Sequence, residues 1–173
     1  MKKNALLTLV PLIALGFGLI FPKLATAGHG YVSIPAAAFQ PETSTAQYNN
    51  FGYYLHNAYD NDQFYSAPVQ LPHGVTVTKL TFYFFDNSSA VGDWGSVTLG
   101  RSNNNVSIPS NMAYAVTNNS GNSSTYDDSI DFASIDNSQY SYILYLDLHS
   151  SVVWAYTVVI EYTNPVSLPL ILK

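Results

Sequence analysis

The sequence predicts an all-β fold: an antiparallel two-sheet sandwich of jelly-roll type with about nine strands. Three observations carry this expectation. Helical 3.6-residue spacing is hard to find after residue 28. Short runs of β-branched and aromatic residues are separated by Asn, Ser, Gly and Pro clusters. Two segments near the C-terminus alternate between apolar and polar residues.

The clearest strand is 152–162, where Val152, Trp154, Tyr156, Val158, Ile160 and Tyr162 share one parity and should line one apolar face. Thr157 and Glu161 point the other way. Segment 141–148 repeats the pattern with Tyr142, Leu144, Leu146 and Leu148 inward, and His149-Ser150-Ser151 is short enough to join the two as a hairpin. Upstream, Gln70-Leu71-Pro72-His73-Gly74 is turn chemistry leading into 75–85. The inward parity there changes from Val75 and Val77 to Leu80, Phe82 and Phe84 around Thr78-Lys79, which predicts a β-bulge. Shorter strands are expected at 31–36, 50–56, 64–69, 96–100, 112–117 and 129–133. If successive strands run antiparallel, loops 57–63, 86–95, 118–128 and 149–151 share one end of the sandwich, and 70–74, 101–111 and 134–140 share the other. The first end would be acidic and aromatic, the second nearly neutral.

Ahead of this domain lies a basic start (Met1-Lys2-Lys3-Asn4), an uncharged run over 5–21, Pro22, Lys23 and the small-residue triplet Ala25-Thr26-Ala27. That order is the one a secretory signal peptide needs, with cleavage after Ala27. A retained membrane anchor is the competing reading, and Pro11, Gly16 and Gly18 weaken a helix there. The expected organisation is a signal peptide at 1–27, a β-sandwich domain at 28–164 and an apolar tail at 165–173. Localisation is expected to be secreted or cell-surface, and without cysteine there is no lipid anchor.

Beyond residue 27 the chain keeps three cations (Lys79, Arg101 and Lys173) against eleven acids, a formal charge of −8. Nucleic acid and anionic membrane surfaces, which need clustered cations, are excluded as partners. An exported chain with no cysteine must take its stability from packing, and 14 Tyr, 9 Phe and 2 Trp supply the material.

Two kinds of site are legible in the residue types. Asp60, Asp62, Asp86, Asp93, Asp127 and Asp128 offer the oxygen ligands that Ca²⁺ takes, but none has the spacing of an EF-hand, and Asp also initiates turns for local reasons. No other cofactor is expected. For a glycan, aromatic faces stack on sugar rings while polar side chains hold the hydroxyls. The run Tyr48, Phe51, Tyr53, Tyr54, Tyr59, Phe64, Tyr65 is rich in such rings, and Trp94 in Gly92-Asp93-Trp94-Gly95 is the aromatic best placed on a loop. Trp94, Tyr53, Tyr54, Tyr59 and Tyr126 are therefore the candidate ligand-binding residues, weighed against the use of Tyr as an ordinary strand former. No catalytic residue is assigned. G-x-S-x-G, H-E-x-x-H and phosphate-loop patterns are absent, and His29, His56, His73 and His149 are not spaced as metal pairs.

The tail Pro165-Val166-Ser167-Leu168-Pro169-Leu170-Ile171-Leu172-Lys173 is oddly apolar for a chain end. It resembles the proline-flanked LPL-I/V-L-K/R endings of exported proteins in one bacterial lineage. The body, from Tyr31-Val32-Ser33-Ile34-Pro35-Ala36 through Val69-Gln70-Leu71-Pro72-His73-Gly74 to Phe84-Phe85-Asp86-Asn87, is similar to a group of uncharacterised secreted bacterial β-sandwich proteins. The resemblance implies the fold and export and carries no catalytic residue across. The expected function is a non-catalytic structural or adhesive protein of the cell surface. The alternatives are a carbohydrate-binding module and a secreted hydrolase. Expected partners are a glycan, and either another copy of the chain or the export and surface machinery through 165–173.

Overall fold

The computed structural model describes residues 28–88, 90, 92–105, 109–118 and 120–165. The expected signal peptide and tail residues 166–173 lie outside them. Among the described residues eleven strands form, with one 3₁₀ turn at Ala36–Ala38: β1 His29–Pro35, β2 Gln40–Pro41, β3 Tyr48–Asn50, β4 Leu55–Asn57, β5 Gln63–Val69, β6 Thr76–Asp86, β7 Gly95–Asn103, β8 Ser110–Val116, β9 Gly121–Asp127, β10 Tyr140–Leu148 and β11 Val153–Thr163. No α-helix occurs among the described residues, and none there is long and apolar enough to cross a membrane.

One sheet has the order β3-β4-β11-β6-β9 with β1 also on β11; the other has the order β2-β5-β10-β7-β8. All pairings are antiparallel. Taken from β4 to β11, the chain changes sheet at every connection except β7–β8, and this is the jelly-roll winding. The winding corrects the expected hairpin at 141–162. β10 pairs with β5 and β7, whereas β11 pairs with β6, β4 and β1, so residues 149–152 arch from one sheet to the other. Their matching apolar faces meet across the core instead of lying side by side.

On β10 the inward set is the expected one: Tyr142, Leu144, Leu146 and Leu148 are all buried. The bulge at Thr78-Lys79 is also present, since Lys79 pairs with Glu161 and Val77 with Tyr162, leaving Thr78 as the extra residue. A second bulge overturns the expected face of β11. Ala155 pairs with Phe84 and Thr157 with Tyr83, so Tyr156 is extra. Val153 and Ala155 are inward before it, Val158 and Ile160 after it, and Trp154 and Tyr156 turn to the outer surface. Expected strand 129–133 is instead a turn, in which Phe132 has φ 51°, and expected strand 50–56 splits into β3 and β4 around a tight turn at Gly52. The two ends of the domain close on each other, with Asn164 N donating to Gly28 O at 2.8 Å.

The buried cluster joins Leu144, Leu146 and Leu99 of one sheet to Leu80, Phe82, Phe84, Val158 and Ile160 of the other. With no cysteine to cross-link the chain, this burial carries the fold. Leu144→Ala, at a site with no solvent exposure, is expected to cost about 2–5 kcal/mol; chemical denaturation of the two proteins measures it.

Candidate binding cleft

The expected clustering holds for all four named connections, the last of them only as far as Gly121. Leu148 at the end of β10 lies opposite Gln63 and Gly95, which gathers residues 57–63, 86–95 and 149–152 at one end of the sandwich. The β8–β9 connection starts and ends there too, since Thr117 N donates to Gly95 O at 2.8 Å and Gly121 lies opposite Asp86. Asn57 fastens them. It is wholly buried, its Nδ2 donates to the carbonyls of Asn61 (2.6 Å) and Leu148 (2.7 Å), and its Oδ1 accepts from Tyr65 Oη (2.8 Å). The Tyr65 hydroxyl is buried here and resists ionisation strongly.

His149 stands at the centre of this end. Its Nδ1 lies 2.8 Å from Asp62 Oδ1 and its Nε2 3.1 Å from Asp147 Oδ2. The Trp94 indole stacks on the imidazole at 3.6 Å between centroids and 26° between planes. His149 N also donates to Trp94 O at 3.0 Å. Burial pushes the Asp147 carboxyl above its ordinary value, and the His149 ring only partly offsets it.

From Trp94 a cleft of about 320 Å³ runs over the outer face of the five-stranded sheet, lined by Glu42, Phe64, Ser96, Thr98, Tyr114, Tyr145, Leu146 and Asp147. Antiparallel register builds it in two rows of directly opposed residues. Phe64, Asp147 and Ser96 form one row; Ser66, Tyr145, Thr98 and Tyr114 form the other. Glu42 joins the first row through its N–H to Phe64 O, at 2.9 Å. Phe64 and Tyr114 are 49% and 48% exposed, so both retain open ring surface. Gly100, at a β7–β8 bulge, makes room for Tyr145: a Cβ there would sit 3.1 Å from its Cε2. Five strands spaced by about 4.8 Å give a trough roughly 19 Å across, long enough for a short oligosaccharide.

The structure divides the sequence-predicted ligand residues between surfaces. Trp94 alone is in the cleft. Tyr53 and Tyr54 lie on the opposite sheet, where Tyr54 stacks on Phe51 at 4.7 Å and on Trp154 at 4.9 Å, with Phe85 4.9 Å beyond. The Tyr54–Trp154 contact holds the β3–β4 hairpin to β11, to which it is paired at Ala155–Leu55, while Tyr53 and Phe51 remain exposed. Tyr59 is exposed on the β4–β5 connection. Tyr126 is on β9 with Lys79 Nζ 4.5 Å from its ring centre, away from Trp94. Residues 121–127, expected as loop, are strand, which carries Asp127 and Asp128 from the acidic end.

The six expected calcium ligands do not converge as a set. Asp60 accepts from Ser151 N and Oγ, and these bonds hold its carboxyl below the ordinary value. Asp86 accepts from Ser88 N, and Asp93 from Ser88 Oγ. Burial opposes ionisation of Asp127, but bonds from Ser129 and Tyr114 outweigh it and lower its pKa. Asp62 is with His149, and Asp128 is exposed next to Asp127. Among the described residues no three His, Asp or Glu side chains gather as a metal-holding group.

Sequence reading missed Glu42, Ser96, Thr98, Tyr114, Tyr145 and Asp147 as lining residues. Part of the signal was available: once Leu144 and Leu146 are inward, Tyr145 and Asp147 must be outward. Their neighbours across the sheet follow only from register.

No protein-family profile and no curated protein matches the chain. Solved structures resemble it in fold. The CBM22-1–GH10 modules of Clostridium thermocellum endo-1,4-beta-D-xylanase 10B, complexed with xylohexaose, match with a TM-score of 0.51 and 8% identity over 81% of this chain. The match spans only 28% of that protein's length. The CBM22-2 xylan-binding domain of Paenibacillus barcinonensis Xyn10C gives 0.47 and 11%, covering 74% of this chain and 92% of that domain. The C-terminal CBM6 of LamC from Zobellia galactanivorans gives 0.45 and 13%, covering 76% and 98%. The shared property is the β-sandwich.

Asn57→Ala would leave the Tyr65 hydroxyl and two carbonyls without their partner, so a loss of about 2–4 kcal/mol is expected. Urea unfolding, with the His149 ring followed by NMR, measures both the loss and the loosening of the acidic end.

Proposed function

We propose that the protein is an exported, non-catalytic binder of uncharged polysaccharide, and that the cleft on the five-stranded sheet is its binding surface. The observation that carries this reading is the arrangement of Phe64, Tyr145, Tyr114 and Trp94 around the hydroxyls of Ser96 and Thr98. Rings on adjacent strands match a ribbon of pyranose faces, and hydroxyls between them match its edge. The charges present, Glu42 and Asp147, are acidic. Neither described cation is there: Lys79 pairs with Glu161, and Arg101 lies between Phe132 and Tyr140. Uronate or sulfated chains would meet repulsion with nothing to neutralise it.

Shared fold with a protein solved with xylohexaose makes a β-1,4-linked neutral chain the first ligand to screen. The non-catalytic assignment draws support from His149, whose two ring nitrogens are both engaged by carboxylates and so are not free to activate a nucleophile. A structural or adhesive role at the cell surface would use the same cleft against surface glycan.

Affinity electrophoresis and calorimetry of residues 28–173 against xylan, mannan, β-glucan and alginate test the reading. Binding to a neutral chain is expected, with Tyr145→Ala and Trp94→Ala each weakening it about tenfold or more. Tyr53→Ala, on the opposite sheet, should leave it unchanged. Absence of binding to every neutral chain would refute the reading, and release of new reducing ends would refute its non-catalytic part.

A further inference from the structure

The outer face of the six-stranded sheet carries exposed rings that the proposed glycan cleft does not use. Register arranges that face in rows of directly opposed residues. Asn122, Phe85 and Trp154 form the row nearest the acidic end. Ser124, Tyr83, Thr157 and Pro35 form the next, and Tyr126, Thr81, Val159 and Ser33 the third. Lys79, Glu161 and Tyr31 close the face at the far end. Tyr31, Tyr83 and Tyr126 are exposed, and Phe51 and Tyr53 continue the aromatic surface at one rim.

We propose that this face docks a second copy of the chain, forming a two-fold dimer whose two clefts face outward. The dimer stands without the glycan reading; the use of its paired clefts rests on that reading.

Charge selects the face. The chain beyond residue 27, with three cations against eleven acids, repels its own copy. Two copies meet at least cost where charge cancels, and here Glu161 is matched by Lys79, 3.7 Å away. The other acids lie at the cleft (Glu42 and Asp147), in the loops of the acidic end, or between residues 127 and 136. The polar side chains at the two ends of the face are engaged with one another. Tyr156, the extra residue of the β11 bulge, reaches over β6 to β9, where its Oη donates to Asn122 Oδ1 at 3.0 Å. Lys79 Nζ, besides meeting Glu161, lies 4.5 Å from the Tyr126 ring centre. Rings with satisfied polar partners suit a protein surface, and Tyr and Phe are enriched at such contacts.

Size agrees. The sheet has six strands, two of them 11 residues long. At ~3.4 Å per residue and ~4.8 Å per strand it presents roughly 700 Å² in projection, and its projecting rings add accessible area. A stable interface covers about 800 Å² per partner. An isologous contact uses the same face on both copies and so closes at two. Twisted sheets pack face to face readily, as the two sheets of this domain already do. The cleft is on the other sheet, so both clefts stay open and point away from each other.

Light scattering and sedimentation of residues 28–173 test this. A mass twice that of one chain is expected at about 100 µM. Tyr83→Lys and Ser124→Arg each place a charge in the second row, and each should weaken the dimer about tenfold or more. Ser124 is exposed on an edge strand, so its replacement spares the fold, which a melting curve checks. Tyr59→Lys, on the β4–β5 connection, should leave the mass unchanged. A wild-type monomer at that concentration would overturn the proposal, including one whose Tyr83 ring signals shift in NMR when xylan is added. A dimer that survives both variants would overturn it too, because another contact, such as one through 165–173, would then hold it. Retention on immobilised neutral polysaccharide should fall about tenfold or more in Ser124→Arg, with affinity for a short oligosaccharide unchanged. A dimer that both variants break, in a protein that binds no glycan, would uphold the interface and refute the glycan reading.

Discussion

Everything in this domain depends on two inner sheet faces burying each other. No cysteine is available to cross-link the chain, and its described ion pairs are few and partly solvated. Exposed pairs of that kind contribute little. Leu144, Leu146 and Leu148 from one side and Leu80, Phe82, Phe84, Val158 and Ile160 from the other form one buried cluster. Because that cluster supplies the stability, the outer faces are free to carry residues chosen for other reasons. Both outer faces carry aromatic rings. On the six-stranded sheet Phe51, Tyr54, Trp154 and Phe85 form a run of neighbouring rings beside a weakly paired hairpin, and Phe51 and Tyr53 stay exposed. On the five-stranded sheet Phe64 and Tyr114 keep open ring surface around the cleft.

Parity made half of this legible. The alternation at 141–148 fixed which side of β10 is inward, and the parity change at Thr78-Lys79 located a bulge, because in both places the break or its absence is written in apolar residues. The bulge at Tyr156 left no such mark. Trp154 and Tyr156 are apolar enough to pass for core, so the strand looks uninterrupted while its backbone changes face. Sequence neighbours also mislead about sheet neighbours. Two amphipathic strands joined by three or four residues satisfy a hairpin and a between-sheet arch equally well, and only the other strands' demand for partners selects the arch. β9 was hidden for a different reason: Gly121–Asp127 has the composition of a loop, yet its edge position on β6 asks only for backbone hydrogen bonds.

The acidic end shows the same limit for side chains. Its composition, Asp and Asn with Ser and one His, was visible, and so was the gathering of its four connections, though not that the last of them ends at Gly121. What each carboxylate does was not. Asp60 binds Ser151, ninety-one residues away in sequence, while Asp86 and Asp93 share Ser88 within their own loop. A turn-initiating Asp and a long-range anchor have identical local sequence requirements, so the distinction lives entirely in the tertiary structure. Asn57 is the sharpest instance: an ordinary turn residue by type, it is a wholly buried hub by position.

The placement of charge follows from these constraints and bears on ligand choice. Arg101 is spent between two aromatic rings at the far side of the sheet, and Lys79 on Tyr126 and Glu161 of the other sheet. Among the described residues the charges left to the cleft are those of Glu42 and Asp147, and His149 at its rim is held between two acids. Affinity for a polyanion would require a positive group that this architecture has committed elsewhere. Aromatic faces and hydroxyls remain, and their contacts with a neutral polyol gain from stacking and hydrogen bonding without an ion-desolvation penalty. On the proposed reading, selectivity against charged chains would follow from where the core and the sheet edges have placed the described cations, before any residue of the cleft is chosen for recognition.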